Sequence, residues 1–425
     1  MKESLKRSFA SLGADGLVAL WLGVWWCANL IEAGCTELAN DEAYYHMFAQ
    51  RLAWGYFDHP PVTALLVWLG ERLFGGELGV RFFFTVLQPL YLWALWRLVR
   101  PADAVRRDAT LFVMLSASTL LLQLYGFIAV PDGPLLASSA VFLWTFRNFS
   151  EGRRLAWLWM GAAIALMAYS KYHGALVLLF ALAANPRLFA RPALYASGAV
   201  AAVLLVPHLV WQYHHDWASF IYHLSARNSV FRPGYVVEFL ANMLVVFNPF
   251  LVPIYVQAWR KTRPQSAVGR ALKLLPAAFI GFFLLSSLRG YVQPQWVIVS
   301  VFGLIYVAFA YVRRHPRTRR YAMAAGGATL LLVAAVRVEM IFNPLGLRFE
   351  VFDNSESYGA IAAEAQGRPV VFRHGYAVAA KYASIRAAKP IASPISAIVR
   401  TNGSSATTTR VSWAAKCSSS VPPPG

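Results

Sequence analysis

The stretch NDEAYYHMFAQRLAWGYFDHPP, residues 40–61, brings Asp41, Glu42, Asp58 and His59 close together in the chain. A carboxylate or imidazole can take a proton from a hydroxyl, and both can bind cations. Other ionisable groups stand in short polar islands. They are VPDGP with Asp132, SKYHG with Lys171, WQYHHDWASF with His214, His215 and Asp216, and RGYVQPQW with Arg289. Each island borders a hydrophobic run. The chemistry available to these groups depends on what holds them and which side of a membrane they face.

The holding elements are read from composition and periodicity. The 425 residues are 58% hydrophobic and 14% charged, with a mean hydropathy of +0.48. That balance predicts an all-α polytopic membrane protein, since backbone polar groups in lipid must be satisfied within each segment. No short alternating segments of a barrel are present. Hydrophobic runs fall at 16–31, 78–99, 111–129, 135–146, 155–170, 174–184, 193–211, 236–259, 274–288, 296–312 and 321–338. About 11 spans follow, given the ~20 residues needed to cross the hydrocarbon core. MKESLKR followed by GLVALWLGVWWCANLI reads as a retained first span without a cleavage site. Cys27, Cys35 and Cys417 imply no disulfide framework.

The net charge of +19 is mostly a topology signal. Arg97, Arg100, Arg106 and Arg107, then Arg147, Arg153 and Arg154, then the groups at 260–273 and 313–320, fall in alternate loops where acids are few. An N-terminus inside the cell makes these the inner loops, and nucleic acid is not needed to explain the charge. The opening stretch and all the other islands then face outward, a distribution suited to chemistry at the outer leaflet. The first outer loop, 32–77, is expected to be structured, with two amphipathic helices lying on the outer membrane surface. Asn40 or Asp41 caps a helix running to Trp54, with Tyr45, Phe48, Ala49 and Leu52 as its apolar stripe. Pro60-Pro61 starts a second helix with Val62, Leu65, Leu66, Leu69 and Leu73 on one side. Residues 1–341 form the membrane domain. A small outer α/β segment is expected at 342–382, and an Ala/Ser/Thr/Pro-rich disordered tail at 383–425.

The motifs DEAYY…GYFDHPP, GVRF, PDGPL, YSKYHG, WQYHHDWASF and YVQPQW, in this order, resemble the bacterial branch of the protein O-mannosyltransferase family. That family is similar to the lipid A aminoarabinose transferases. The resemblance spans roughly 14–382 and implies a GT-C fold and a polyprenyl-phosphate-linked sugar donor. The acceptor would be a hydroxyl on an envelope lipid, glycan or protein. It maps the catalytic base onto Asp41, has Glu42 bind and orient the acceptor or orient a neighbouring group, and implies single displacement with inversion. The leaving phosphate needs cations, for which Arg81, Lys171, Arg289 and His59 are candidates. Lys171 is favoured by its matching Ser-Lys motif. Asp58-His59-Pro60 departs from the Glu-Lys-Pro of the aminoarabinose transferases, so His59 holds phosphate only as imidazolium or as a neutral donor.

Simpler roles stand beside these. Asp132 caps the fourth span or meets the acceptor, and Arg81 snorkels or binds phosphate. His214, His215 and Asp216 are expected as a loop cluster, since no fourth ligand is near. Asp41, Glu42, Asp58 and His59 are hard ligands that could hold a divalent metal, as in oligosaccharyltransferases of the same fold class, but the closer resemblance implies no metal and no cofactor. The site is placed on the outer face of a bacterial inner membrane. A transporter or flippase of a lipid-linked saccharide is the alternative. It would set ionisable groups or broken helices near mid-membrane, where only His208 and Asn248–Phe250 qualify.

Overall fold

The computed structural model describes residues 12–225, 231–347, 349–351, 355–366, 370–372, 376–388 and 398–399. Helix α1 (Ala14–Cys35) leads into the first loop, which holds α2 (Asn40–Ala49) and α3 (Val62–Glu71). After it come α4 (Gly76–Val99), α5 (Arg106–Ala117), α6 (Leu120–Leu124), α7 (Asp132–Ser150), α8 (Ala156–Ser170) and α9 (Gly174–Ala183). Helices α10 (Pro192–His214), α11 (Ala218–Ser225), α12 (Pro233–Val246), α13 (Val252–Lys261), α14 (Ala267–Ser287), α15 (Ser300–Val312) and α16 (Pro316–Phe342) complete the bundle. Helices α1, α4, α10, α14 and α16 are long and apolar enough to cross a membrane, and shorter apolar helices fill the spaces between them. The bundle is a multi-pass membrane fold.

Two predicted spans are broken. The run at 111–129 divides at Ser118–Thr119 into α5 and α6. The run at 236–259 divides at Asn248, whose φ of 69° stops α12. The breaks are joined. The Asn248 side-chain amide donates to the Ser118 carbonyl at 3.0 Å and to Thr329 Oγ1 at 2.8 Å. A freed backbone group inside the bundle thus has a partner, as lipid requires. One large apolar core runs through the bundle. Trp96 meets Phe112 and Phe309 there, with ring centroids 5.3 and 5.9 Å apart.

The first loop is ordered, with two corrections. Helix α2 ends at Ala49, not Trp54, and neither Asn40 nor Asp41 caps it. The Glu42 carboxylate does so instead, accepting the Ala39 N–H at 2.8 Å. On α3 the predicted stripe points outward, with Leu65, Leu69 and Leu73 exposed, while Thr63, Ala64, Val67 and Gly70 face the bundle. Gly70 lets α3 lie on α4, because a Cβ there would sit 2.1 Å from the Gly79 carbonyl oxygen.

Beyond α16 the chain forms α17 (Ser355–Ala365), β1 (Val371–Phe372), α18 (Tyr376–Ala388) and β2 (Ile398–Val399). The two strands are parallel, with Val371 opposite Ile398. Helix α18 packs on α2 and overruns the predicted boundary at 382. Apart from 398–399, the predicted tail past Ala388 lies outside the described residues, as do the basic residues of 1–11.

Candidate active site

A cavity of about 1220 Å³ opens at the end of the bundle that carries the first loop. Asp41, Asp58, His59, Asp132, Lys171 and Arg289 all line it, though they come from distant parts of the chain. One wall is apolar, with Phe282, Phe283, Leu332, Val333 and Val336 from α14 and α16.

Asp41 stands in the first turn of α2 and is accessible from the cavity. It makes no hydrogen bond or ion pair with any described residue. Protein surrounds it on most sides, and this desolvation raises its pKa above the usual carboxylate range. Glu350 adds to the rise, His59 opposes it, and Asp58 and Asp132 add further. A recessed carboxylate with an elevated pKa and no protein partner is equipped to accept a proton from a bound hydroxyl.

Asp58 and His59 hold each other, with Asp58 Oδ1 3.0 Å from His59 Nδ1. Tyr44 donates its hydroxyl to the same Asp58 oxygen at 3.1 Å, and His223 Nε2 donates to the Asp58 carbonyl at 2.8 Å. Burial alone would raise the Asp58 pKa. His59, the Tyr44 hydroxyl and His223 outweigh it and hold the carboxyl below its ordinary value. Asp58 therefore stays charged and keeps His59 facing the cavity. The Tyr45 hydroxyl lies 3.3 Å from the other ring nitrogen.

Lys171 and Asp132 face each other across the cavity wall. Lys171 follows the C-terminus of α8 and Asp132 opens α7; Nζ donates to Oδ1 at 2.7 Å, and both are buried. Asp132 stands at the start of its helix, where negative charge is favourable, and also anchors the lysine. Arg289, in the turn after α14, is exposed at the cavity and makes no side-chain hydrogen bond to a described residue.

Glu42 and Arg81 need correction as substrate ligands. Neither reaches the cavity, and both are fully buried. Arg81 Nε donates to Glu42 Oε1 at 2.7 Å and a terminal nitrogen donates to Oε2 at 2.5 Å, a bidentate pair. The remaining guanidinium protons go to the Thr36 hydroxyl and to the carbonyls of Ala33, Thr36 and Glu37. Glu42 also accepts the Ala129 N–H at 2.7 Å. The pair clamps α1, α2, α4 and the segment before α7 together. It fixes the first turn of α2, where Asp41 stands one residue away. His214, His215 and Asp216 are exposed outside the cavity, and no three metal-ligating side chains gather among the described residues.

The structure adds residues to the cavity that sequence reasoning missed. Glu32 and Arg337, whose charged atoms lie 2.6 Å apart, form part of its floor. Arg337 also donates to Asn29 Oδ1 at 2.8 Å and Gln123 Oε1 at 2.9 Å. Two charges at the ends of separate hydrophobic runs, far apart in the chain, gave no local signal of pairing. Glu350 was missed because it stands where the sequence turns soluble in character. It accepts the Asn40 N–H at 2.5 Å, and its carbonyl is met by the ammonium of Lys381 from α18.

Residues 58–211 match the family described as dolichyl-phosphate-mannose-protein mannosyltransferase. The bundle superposes on the crystal structure of ArnT from Cupriavidus metallidurans bound to undecaprenyl phosphate. The TM-score is 0.56 at 20% identity, over 76% of this chain and 63% of that one. The apo ArnT structure gives 0.58 at 19% identity, over 82% and 69%. The fold is the GT-C fold of ArnT. Among curated proteins the GT-C chain is 26% identical over 335 residues to the lipid A galacturonosyltransferase RgtD of Rhizobium johnstonii. That match covers 72% of this chain and 67% of that protein. The chain thus spans about two thirds of the relatives it matches. The family match begins at Asp58, so the helix carrying Asp41 lies outside it.

Proposed function

We propose that this chain is a membrane glycosyltransferase that moves a sugar from a polyprenyl-phosphate donor to a hydroxyl acceptor. Asp41 takes the proton of the acceptor hydroxyl. The oxygen bonds to the anomeric carbon as the bond from that carbon to the phosphate oxygen breaks, and the electron pair leaves on the phosphate. Attack from the face opposite the leaving group inverts the anomeric centre. Lys171, Arg289 and His59 neutralise the departing phosphate, and Asp58 and Asp132 hold two of these cations in place. The apolar wall from α14 and α16 suits the polyprenyl chain. In this proposal the chain's own groups carry the step, without a cofactor or metal.

The observation that carries the proposal is Asp41 itself, a carboxylate without a hydrogen-bond partner among the described residues, in a cavity that Lys171, Arg289 and His59 also line. The distribution of basic residues supports a cytoplasmic N-terminus and a site on the outer face of a bacterial inner membrane. The RgtD and ArnT likenesses support an envelope lipid such as lipid A as acceptor, and a hexose or pentose derivative as the sugar. The test is to incubate purified protein with candidate polyprenyl-phosphate sugars and lipid A, and to follow sugar-bearing product by mass spectrometry. The wild type should yield it and Asp41→Asn should not. An Asp41→Asn protein with normal turnover ends the assignment of the base.

A further inference from the structure

At the opposite end of the bundle, the C-terminal ends of α4 and α7 and the N-terminal end of α14 enclose a second cleft of about 700 Å³. Arg97, Arg100, Arg147 and Arg270 line it, with Ser266 and Trp144. Two of these guanidinium groups lie beside carboxylates. Arg147 donates to Glu151 at 2.8 Å, and Arg100 lies 3.4 Å from Asp15. Arg270 donates to Asn185 Oδ1 at 3.0 Å and to the Gln265 carbonyl at 2.6 Å, neither of them charged. Arg97 has no hydrogen bond or ion pair among the described residues. Its guanidinium sits 5.9 Å from the centroid of the Trp93 ring.

The positive-inside tendency accounts for basic residues at this end as a class. It does not account for four arginines from three separate regions facing one cavity with a single glutamate in its lining. The start of α14 adds the partial positive charge of a 21-residue helix. The cleft is also amphipathic. Leu98, Val268 and the exposed Trp144 complete its wall, and tryptophan is favoured at the level of lipid headgroups. A free inorganic anion would use the arginines and leave this apolar wall wet. A phosphodiester carrying acyl chains uses both.

We propose that this cleft binds the phosphate headgroup of an anionic phospholipid, with Arg97 and Arg270 as its principal ligands. The site is separate from the Asp41 cavity and does not depend on the glycosyl-transfer reading. The test is native mass spectrometry of the full-length protein in detergent with added phosphatidylglycerol or phosphatidylcholine. Three proteins are compared: wild type, Arg97→Gln with Arg270→Gln, and an equal-charge control, Arg314→Gln with Arg320→Gln, at the same end of the bundle. Wild type and control should retain phosphatidylglycerol, and the cleft variant should bind it about tenfold more weakly, as loss of charge-assisted hydrogen bonds predicts. Phosphatidylcholine should be retained by none. Equal retention by all three proteins, equal loss from both variants, or equal binding of phosphatidylcholine overturns the proposal. Excess inorganic phosphate should leave the lipid bound; displacement would assign the cleft to free phosphate instead. Should the double variant fail to fold, Arg97→Gln alone serves, because that side chain has no polar partner to lose among the described residues.

Discussion

Asp41 and Glu42 are adjacent on one helix turn, yet the structure treats them oppositely. Glu42 is sealed by a bidentate arginine and two backbone N–H groups, so its charge is fully matched and inaccessible. Asp41 opens into the cavity without a partner among the described residues, and desolvation, with acidic neighbours adding to it, raises its pKa. A matched buried carboxylate can organise backbone and cannot take up a substrate proton without losing its partners. An unmatched one costs stability and keeps its lone pairs for chemistry. Two similar side chains thus divide into a fastener and a candidate base through environment alone.

The comparison can be broken most directly at Asp41. Asp41→Asn should lower turnover by about 10²–10⁴-fold, the range for loss of a general base, as read by release of polyprenyl phosphate. The same change should raise the melting temperature at neutral pH. A carboxylate with a folded pKa above its unfolded value favours the folded state at low pH and loses that contribution as pH rises through the folded pKa. The gain should vanish in acid, where Asp41 is already neutral. A fall in melting temperature at neutral pH would give Asp41 a structural role like that of Glu42.

Glu42→Ala should show the reverse pattern. Leaving Arg81 buried without its partner should cost about 3–5 kcal/mol of stability, seen in detergent melts or denaturant titration. Any activity lost should follow the unfolded fraction. A well-folded Glu42→Ala protein without turnover would move Glu42 into the chemistry.

Lys171→Met removes a cavity cation and strands Asp132. It should lower kcat/KM by about 10- to 100-fold through weaker handling of the phosphate, on the scale of charge-assisted hydrogen bonds. A loss confined to the KM of the acceptor, with donor kinetics unchanged, would argue against that role. Glu350→Gln should be the mildest change, because its side-chain oxygen can still accept the Asn40 N–H. Removing the negative charge lowers the Asp41 pKa, so the acid limb of the kcat/KM profile should move to lower pH. An unmoved limb would show that burial alone sets the value.

Much of the bundle was legible before any coordinates. Hydrophobic runs located the helices because lipid forces each segment to satisfy its own backbone, and Pro60-Pro61 marked the start of α3. The breaks at Ser118 and Asn248 were hidden, since a span closed by a side-chain amide from elsewhere has the composition of an unbroken one. Within the site, local motifs exposed Asp41, Asp58, His59, Asp132, Lys171 and Arg289 as polar islands between apolar runs. The same reasoning placed Arg81 and Glu42 beside them, because an ionisable residue near a loop looks the same whether it faces water or a partner.

The sequence by itself determined that this chain crosses a membrane many times and keeps its candidate chemistry at one end, since hydropathy and charge asymmetry act residue by residue. Only the tertiary structure decided which acid is free and which is locked, and that Glu32 meets Arg337. Pairing and desolvation depend on distances between segments hundreds of residues apart, and no local pattern encodes them.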